Sequence, residues 1–212
     1  MKLNEFIDYT LLSSHATSHD IQKICVDAEK HKFASVCVNP IYVSHAKNLL
    51  KKTKVNVCTV VGFPLGSVPT NIKVLETEQA VRDGADEIDM VINVGALKEG
   101  AYTVVLNDIK HVRAVCPKQI LKVIIETTLL TKEEKIQVCK LALQAQADFI
   151  KTSTGFAKSG AKVKDIKLIR SIVKDEMRIK ASGKIKTKAQ AIKLIKGGAD
   201  RLGISKAALL MV

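Results

Sequence analysis

The sequence contains no tryptophan, and aromatic residues make up only 4% of its 212 positions. So few aromatic side chains provide no obvious stacking platform for the bases of a nucleic acid. The net charge of +13 comes mostly from lysines, which are spread over every predicted helix, whereas a nucleic-acid-binding domain concentrates its charge on one face or stripe. We therefore expect no specific nucleic-acid partner, although a basic protein retains some non-specific affinity for polyanions.

Long apolar runs and targeting segments are also missing. No stretch approaches the roughly 18 consecutive apolar residues that a membrane-spanning helix needs. Residues 1–8 lack the apolar core and the cleavage site of a signal peptide. These absences predict a cytoplasmic protein without a membrane partner, and its 47% hydrophobic and 26% charged residues are ordinary for a globular chain.

Recognisable metal-binding patterns are absent as well. The five cysteines are widely separated and form no Cys-x-x-Cys pair; they are Cys25, Cys37, Cys58, Cys116 and Cys139. Each lies in an apolar context, as buried, reduced cysteines of cytosolic proteins do. The five histidines do not combine with them in a spacing typical of zinc ligands. We therefore expect no metal site and no cofactor.

The sequence does contain a regular alternation of short apolar runs and longer segments with helical periodicity. This alternation is typical of repeated βα units that build a parallel sheet. Eight strands are predicted, at residues 8–12, 34–39, 55–61, 87–92, 121–125, 149–151, 179–181 and 201–204. Several of them are apolar almost throughout, as strands buried on both faces are.

Amphipathic segments between these strands predict helices at residues 18–31, 70–83, 131–145 and 187–196. The third opens with Thr-Lys-Glu-Glu, the spacing of a capping box. An Ala-Asp pair leads straight into a strand three times, at residues 85–86, 147–148 and 199–200. We therefore predict an α/β protein with one domain, a compact TIM (β/α)8 barrel over residues 1–212.

The active site of such a barrel lies at the carboxyl ends of its strands. Lys151 and Lys180 lie there, in two neighbouring apolar strands. A buried lysine is costly unless it is paired or has a lowered pKa. Two adjacent ammonium groups lower each other's pKa, which leaves one free amine for attack on a carbonyl. The alternative is a buried ion pair between one lysine and Asp89 or Glu126, and the pattern does not choose between the two interpretations.

Small residues after the last two predicted strands indicate a phosphate site. Ser182 and Gly183 follow the seventh strand, while Gly203 and Ser205 lie at the end of the eighth. TIM barrels commonly bind phosphate in these two loops, on backbone N–H groups and a helix N-terminus. Ordinary tight turns would explain any one of the glycines, but the occurrence of the pattern in both loops favours phosphate.

The block Lys151-Thr152-Ser153-Thr154-Gly155-Phe156 resembles a motif of the deoxyribose-phosphate aldolase family, and the similarity runs in order over essentially the whole chain. The other matching segments are residues 7–12, 35–40, 61–66, 87–93 and 180–183. The resemblance implies a metal-independent class I aldolase, a carbon–carbon lyase of deoxyribonucleotide catabolism. It implies reversible cleavage of 2-deoxy-D-ribose 5-phosphate to acetaldehyde and D-glyceraldehyde 3-phosphate.

The resemblance also implies a role for individual residues. Lys151 would be the Schiff-base lysine, and Lys180 would keep it a free amine and take part in proton transfer. Asp89 would shuttle protons through a water, and Asp8 would support that relay. The residues expected around the phosphate are Gly155, Ser182, Gly183, Lys184, Lys186, Gly203 and Ser205.

The chain departs from the family pattern at three positions in the phosphate region. Lys184 stands where a second glycine is usual, Lys186 where arginine is usual, and Lys206 where a small residue is common. We expect these charges partly to replace the close backbone fit that glycine allows.

Two other functions stay open at this point. One is a different lysine Schiff-base aldolase or transaldolase that acts on another sugar phosphate. The other is a non-catalytic barrel that binds sugar phosphates. In each case the expected partners are small phosphorylated sugars or aldehydes, and a homo-oligomer such as a dimer is an open possibility.

Overall fold

A closed barrel of eight parallel strands forms the centre of the computed structural model, which describes residues 2–211. Each strand pairs with the next along the chain, and the last pairs with the first. The strands are β1 Ile7–Leu11, β2 Ser35–Val38, β3 Asn56–Val61, β4 Glu87–Val91, β5 Ile120–Ile124, β6 Phe149–Lys151, β7 Arg178–Ser182 and β8 Arg201–Ile204. The predicted TIM barrel is therefore confirmed, and every predicted strand end is within one residue of the observed end.

Helices surround this barrel. They are α1 Ser18–His31, α2 Val43–Leu50, α3 Thr70–Arg82, α4 Val94–Lys98, α5 Tyr102–Val115, α6 Lys132–Gln144, α7 Val163–Val173 and α8 Lys188–Lys196. Short 3-10 helices lie at Leu3–Phe6, Pro40–Tyr42, Thr127–Leu129 and Ala207–Leu210. No helix within the described residues is long and apolar enough to cross a membrane.

The four predicted helices are present as α1, α3, α6 and α8. The capping box at the start of α6 also forms, since Thr131 Oγ1 accepts a hydrogen bond from the Glu134 backbone N–H and Glu134 accepts one from the Thr131 N–H. Helices α2, α4, α5 and α7 were not among the predictions. The apolar periodicity of α5 is nevertheless clear in the structure, where Val105, Ile109 and Val112 are fully buried.

The repeated Ala-Asp pair forms a repeated turn between a helix and a strand. The carboxylates of Asp86, Asp148 and Asp200 each accept a hydrogen bond from a backbone N–H near the start of the preceding strand. The donors are Val57, Leu121 and Ile179, at 2.9, 2.8 and 2.7 Å. Each carboxylate also pairs with a basic side chain, from Lys47, Arg113 and Arg170 respectively. These aspartates therefore fix neighbouring strands to each other at the amino end of the barrel.

Apolar side chains fill the space between the barrel and its helices, whereas the barrel interior is charged. Five acidic and basic side chains on the strands are fully buried there: Asp8, Glu87, Asp89, Lys122 and Lys180. Burial of a charge is costly unless it is paired. These buried charges indicate that a functional site lies in the interior of the barrel.

Candidate active site

Lys151 and Lys180 are register partners on the adjacent strands β6 and β7. Both ammonium nitrogens donate to the same oxygen, Oδ2 of Asp89, at 2.7 and 2.8 Å. The alternative of a buried ion pair is therefore present in the structure, and it includes both lysines. Glu126, the other carboxylate considered as a partner, instead accepts hydrogen bonds from Thr154.

A third lysine, which the sequence-based prediction missed, completes the surroundings of Asp89. Lys122 of β5 contacts Oδ1 of Asp89 at 2.7 Å and Oε2 of Glu87 at 2.6 Å. The signal was available in the sequence, because Lys122 interrupts an apolar strand just as Lys180 does. Asp89 therefore has three ammonium groups within hydrogen-bonding distance.

Asp8, which the resemblance predicts to support the relay, is fully buried in the barrel. Its Oδ2 atom is 2.5 Å from Nζ of Lys180. Arg201 of β8, also missing from the prediction, bridges the carboxylates of Asp8 and Glu87. Lys180 therefore pairs with both Asp8 and Asp89.

These contacts connect seven ionisable side chains in one buried network. Four are cationic when protonated, Lys122, Lys151, Lys180 and Arg201, and three are carboxylates, Asp8, Glu87 and Asp89. The fully ionised network therefore carries one excess positive charge. Release of one proton from one amine would bring it to neutrality.

The electrostatic environment indicates which groups stay ionised. Burial raises the pKa of Asp89, but Lys122, Lys151 and Lys180 outweigh burial and hold the pKa well below its ordinary value. Burial also raises the pKa of Asp8, but Lys180 and Arg201 outweigh burial and hold that pKa below its ordinary value. The carboxylates of Asp8 and Asp89 are therefore charged at neutral pH.

The two deeper lysines stay protonated for the converse reason. Burial lowers the pKa of Lys180, but Asp8 and Asp89 outweigh it and raise the pKa above the ordinary lysine value. Burial also lowers the pKa of Lys122, but Asp89 and Glu87 outweigh burial and raise it well above the ordinary value. Lys151, whose ion-pair partner is Asp89, is the remaining lysine of the network.

A cavity of about 540 Å³ opens above this network, and Lys151 lies in its wall with 2% of its surface exposed. Lys180, Asp89 and Asp8 lie beneath and are fully buried. The cavity is therefore positioned to bring a small molecule to Lys151, with the other charged groups behind it.

All seven residues predicted around the phosphate line this cavity: Gly155, Ser182, Gly183, Lys184, Lys186, Gly203 and Ser205. Gly183 has a φ of +87°, which an L-residue with a side chain rarely adopts. A Cβ at Gly203 would lie 2.9 Å from Cβ of Ser182 and 3.3 Å from Cε of Lys180. The glycines therefore allow the phosphate loops to approach the network closely.

The three lysines that depart from the family pattern do not occupy equivalent places. Lys184 and Lys186 line the main cavity, whereas Lys206 lines a smaller neighbouring cavity. Lys184 has a left-handed backbone with φ +60°. This conformation costs roughly 1–2 kcal/mol for a residue with a Cβ, so glycine would fit its backbone better than lysine does.

Thr154 and Glu126 hold the loop that follows β6. Oε2 of Glu126 accepts hydrogen bonds from the backbone N–H of Thr154 at 3.0 Å and from its hydroxyl at 2.6 Å. The Thr154 hydroxyl in turn accepts one from the N–H of Phe156 at 3.1 Å. This chain of bonds explains why polar residues follow β6, and it positions Gly155 at the cavity.

Comparison with known proteins agrees with this geometry. Residues 5–204 match the family described as "DeoC/LacD family aldolase". A deoxyribose-phosphate aldolase of Finegoldia magna is 53% identical over 205 residues, which cover 97% of this chain and 96% of that protein. One from Metamycoplasma arthritidis is 50% identical over 211 residues, with 100% and 97% coverage.

Solved structures give the same result. A deoxyribose phosphate aldolase from Aeropyrum pernix, described as tetrameric, superimposes with a TM-score of 0.91 at 29% identity, over 98% of this chain and 88% of that one. The aldolase QR15 superimposes with a TM-score of 0.94 at 40% identity, over 97% and 92% of the two chains. The chain belongs to the DeoC/LacD family of aldolases.

Proposed function

We propose that this protein is a class I aldolase that reversibly cleaves 2-deoxy-D-ribose 5-phosphate, with Lys151 as the Schiff-base lysine. The relatives that share half of its residues over nearly their whole length carry the corresponding name. The observation that carries the proposal is the excess of one positive charge in the buried network, together with the position of Lys151 in the cavity wall. Lys151 pairs with Asp89 at the cavity wall, whereas Lys180 and Lys122 each pair with at least two carboxylates.

The first steps use Lys151 as a nucleophile. Its neutral amine attacks C1 of the open-chain sugar, and the carbinolamine loses water to give a protonated imine. The imine accepts the electron pair of the C2–C3 bond as that bond breaks, so an enamine of acetaldehyde forms. This electron sink does not require a Lewis-acid metal.

Proton transfer accompanies the cleavage. The C3 hydroxyl loses its proton as D-glyceraldehyde 3-phosphate departs, and the enamine carbon later gains one. We assign the relay between these positions to Asp89 with a bridging water, and we assign a share in proton supply to Lys180. Asp8 supports the relay by holding Lys180 at 2.5 Å. Water then hydrolyses the imine, which releases acetaldehyde and restores Lys151.

We assign the phosphate to the end of the cavity formed by the loops after β6, β7 and β8. Gly155, Gly183 and Gly203 allow backbone N–H groups to approach it. Lys184 and Lys186 add positive charge at its exposed edge. Ser182 and Ser205 complete the lining.

Reductive trapping tests the assignment of the nucleophile. Incubation with deoxyribose 5-phosphate and sodium borohydride should add a reduced adduct to the peptide that contains Lys151, and Lys151→Leu should abolish both adduct and cleavage. Lys73 is the matched control, because it is a fully buried, ion-paired lysine outside this site. No adduct should form on it. An adduct on Lys180 or Lys122 would overturn the assignment.

A substrate panel separates this function from the two alternatives. Release of acetaldehyde from deoxyribose 5-phosphate, but not from other sugar phosphates, supports the proposed substrate. Trapping with a different sugar phosphate alone would identify another Schiff-base aldolase. Binding without trapping or cleavage would identify a non-catalytic barrel.

We also propose that two copies of the chain form a homodimer through an apolar groove between α3 and α5. The groove lining contains Val74, Leu75 and Val104 beside uncharged polar residues and His111. Leu75 and Val104 are about half exposed, at 54% and 49%. None of the described residues that line this groove is a lysine or an arginine, although the chain has a net charge of +13.

Light scattering during size-exclusion chromatography tests the dimer. Leu75→Glu should produce a monomer, whereas Val26→Glu, which alters an equally exposed apolar residue on α1, should leave the mass unchanged. A wild-type monomer, or a dimer that survives Leu75→Glu, would contradict the assignment of this groove.

Two further features complete the proposal. The barrel strands run from Ile7 to Ile204, so we propose one aldolase domain over residues 1–212. All five cysteines are free and buried, as is usual in a reducing compartment, and we propose the cytoplasm as the location. Fractionation of cells that produce the protein tests the location.

A further inference from the structure

Two cysteines lie side by side beneath the cavity and take part in none of the steps proposed above. Cys37 of β2 and Cys58 of β3 are register partners on adjacent parallel strands, and both are fully buried. Their sulfur atoms and a carboxylate oxygen of Asp89 all lie within 4.8 Å of one another. The pair is therefore in direct contact with the centre of the charged network.

Cys58 connects the thiol pair to the network. Its Sγ donates a hydrogen bond to Oδ1 of Asp89 at 3.1 Å, and it accepts one from Nζ of Lys122 at 3.3 Å. Oδ1 of Asp89 thus has a thiol donor in addition to Lys122. A chemical change at Cys58 would alter the hydrogen bonding of Asp89.

The two thiols differ in acidity. The contact with Cys58 is the largest influence on the pKa of Cys37, and together with Lys180 and Lys151 it lowers that pKa despite burial. Burial, and after it the contact with Cys37, raises the pKa of Cys58 well above its ordinary value. An acidic thiol beside a less acidic one is the arrangement of a nucleophilic cysteine with a resolving partner.

The other three cysteines provide the contrast. Burial raises the pKa of Cys25 and of Cys139 to about 12, and burial is also the main cause that raises the pKa of Cys116 to about 11. None of the three belongs to the cluster of Cys37, Cys58 and Asp89. Reactivity toward oxidants requires the thiolate, so it should be concentrated at Cys37.

We propose that Cys37 and Cys58 form an oxidisable dithiol, and that a hydroperoxide converts the pair to a disulfide that inactivates the aldolase reversibly. The backbone spacing permits this bond. Neighbouring strands lie about 4.8 Å apart, which falls within the Cα separation that disulfides span. The register pairing of Cys37 with Cys58 directs both side chains to the same face of the barrel wall.

A disulfide accounts for the cluster better than a bound metal ion does. Both oxygens of Asp89 already accept hydrogen bonds from ammonium groups, namely Lys122 on Oδ1 and Lys151 and Lys180 on Oδ2. A cation would have to displace these lysines. Disulfide formation adds no charge to the network.

The oxidation is balanced with one hydroperoxide. The Cys37 thiolate attacks one peroxide oxygen, the O–O bond breaks, and the leaving hydroxide takes a proton to become water, which leaves a sulfenic acid on Cys37. The sulfur of Cys58 attacks the sulfenic sulfur, and its proton leaves with the hydroxyl group as a second water. Two thiols are oxidised by two electrons in total, and one hydrogen peroxide is reduced to two waters.

A small oxidant has a short path to the pair. Leu12 lines the main cavity and also packs in the apolar cluster that contains both cysteines. Hydrogen peroxide is only slightly larger than water, so movement of one side chain at the cavity floor would admit it. Oxidants larger than hydrogen peroxide should therefore react more slowly with the pair.

The consequence for activity follows from the contact with Asp89 and rests on the proposed function. The disulfide removes the S–H that Cys58 donates to Asp89. Hydrogen bonds to charged groups are among the stronger ones, so loss of this bond should reduce turnover about tenfold. Reduction of the disulfide should restore the bond and the turnover together.

The test combines intact mass, peptide mapping and activity on the full-length protein. Titration with hydrogen peroxide should remove two hydrogens from the mass, join the peptides of Cys37 and Cys58, and reduce cleavage of deoxyribose 5-phosphate in parallel, with full recovery in dithiothreitol. Cys37→Ala and Cys58→Ala should each prevent the crosslink and the reversible loss, with each variant compared with its own untreated rate. Cys139→Ala should behave as the wild type does.

Each outcome bears on the proposal. A crosslink that leaves activity unchanged would overturn the inactivation, and an inactivated protein that contains only sulfinic acid at Cys37 would overturn the disulfide. The mass measurement does not depend on aldolase activity, so it decides whether the dithiol is oxidised even if the protein acts on another substrate. If an alanine variant fails to fold, the crosslink and its reduction in the wild type still decide the question.

Discussion

Lys151 and Lys180 donate hydrogen bonds to one and the same oxygen, Oδ2 of Asp89. The arrangement places two ammonium groups next to each other while giving them only one shared acceptor. Lys180 has a second carboxylate in Asp8, and Lys151 faces the cavity instead. This asymmetry is why we propose Lys151 as the nucleophile, and the first prediction tests its coupling to Lys180.

Removal of the charge on Lys180 should make Lys151 harder to deprotonate. In Lys180→Leu the network has as many cations as carboxylates, so it no longer gains by releasing a proton. We expect the alkaline rise in kcat/KM to move to higher pH by about one unit, which corresponds to ~1.4 kcal/mol, and the rate to fall. A pH–rate profile measures the shift, and Lys180→Arg, which keeps the charge, should retain the wild-type midpoint. An unchanged profile in Lys180→Leu would show that the two amines are not coupled.

Asp89→Asn should separate proton transfer from imine formation. The amide cannot relay protons as the carboxylate does, so turnover should fall by about 10²–10⁴-fold. Borohydride should still trap substrate on Lys151, because the nucleophile is intact. A single-turnover trapping assay beside a steady-state assay measures both steps. Loss of trapping at pH 9 as well as at pH 7 would show that Asp89 is needed for nucleophilic attack itself.

Acid should destabilise the fold through the buried carboxylates. The pKa values of Asp8 and Asp89 are lowered from an ordinary value of 3.8, so the unfolded chain binds protons there before the folded chain does. Their contribution to stability is complete above about pH 5 and is lost as the pH falls through the ordinary value toward the folded one. Urea unfolding between pH 3 and pH 7 should show this decline. Glu99→Gln, a substitution on the surface, should leave the slope of the free energy of unfolding against pH unchanged.

Lys184→Gly should trade phosphate binding for stability. Glycine adopts the φ of +60° found at Lys184 without a Cβ penalty, so the free energy of unfolding should rise by roughly 1 kcal/mol. The loss of an ammonium group at the cavity edge should raise KM for the sugar phosphate and weaken its dependence on salt, because exposed charges are screened over about 8 Å. Denaturant melts and KM at several ionic strengths measure the two effects.

Lys206→Ala provides the comparison for Lys184→Gly, since Lys206 lines the neighbouring cavity and not the main one. Its effect on KM should be smaller, and its effect on stability close to zero. If Lys184→Gly changes neither KM nor its salt dependence, the Lys184 side chain does not contact the phosphate.

The barrel could be predicted from the sequence, because strands and helices leave local patterns in it. Short runs such as residues 55–61 are mostly apolar, as buried strands are, and Thr131 and Glu134 have the spacing of a capping box. The Ala-Asp pairs mark three of the turns. The block that begins at Lys151 was specific enough to indicate the family, and the resemblance predicts the roles of Lys151, Asp89 and Lys180.

Which charged side chains contact one another could not be predicted from the sequence. Lys122, Glu87 and Arg201 belong to three different strands. Closure of the barrel brings their side chains together around Asp89 and Asp8. The excess charge of the network is a sum over all seven groups, so no single segment contains it.

The pairing of Cys37 with Cys58 also depends on tertiary structure. The two cysteines are separated by a helix and a turn in the sequence, and the register between β2 and β3 alone makes them neighbours. The close approach of Gly183 to Gly155 and Gly160 has the same origin, since it depends on how the loop after β7 packs against the loop after β6. Local sequence determines which elements form, whereas closure of the barrel determines the distances between charges, because these charges belong to strands far apart in the chain.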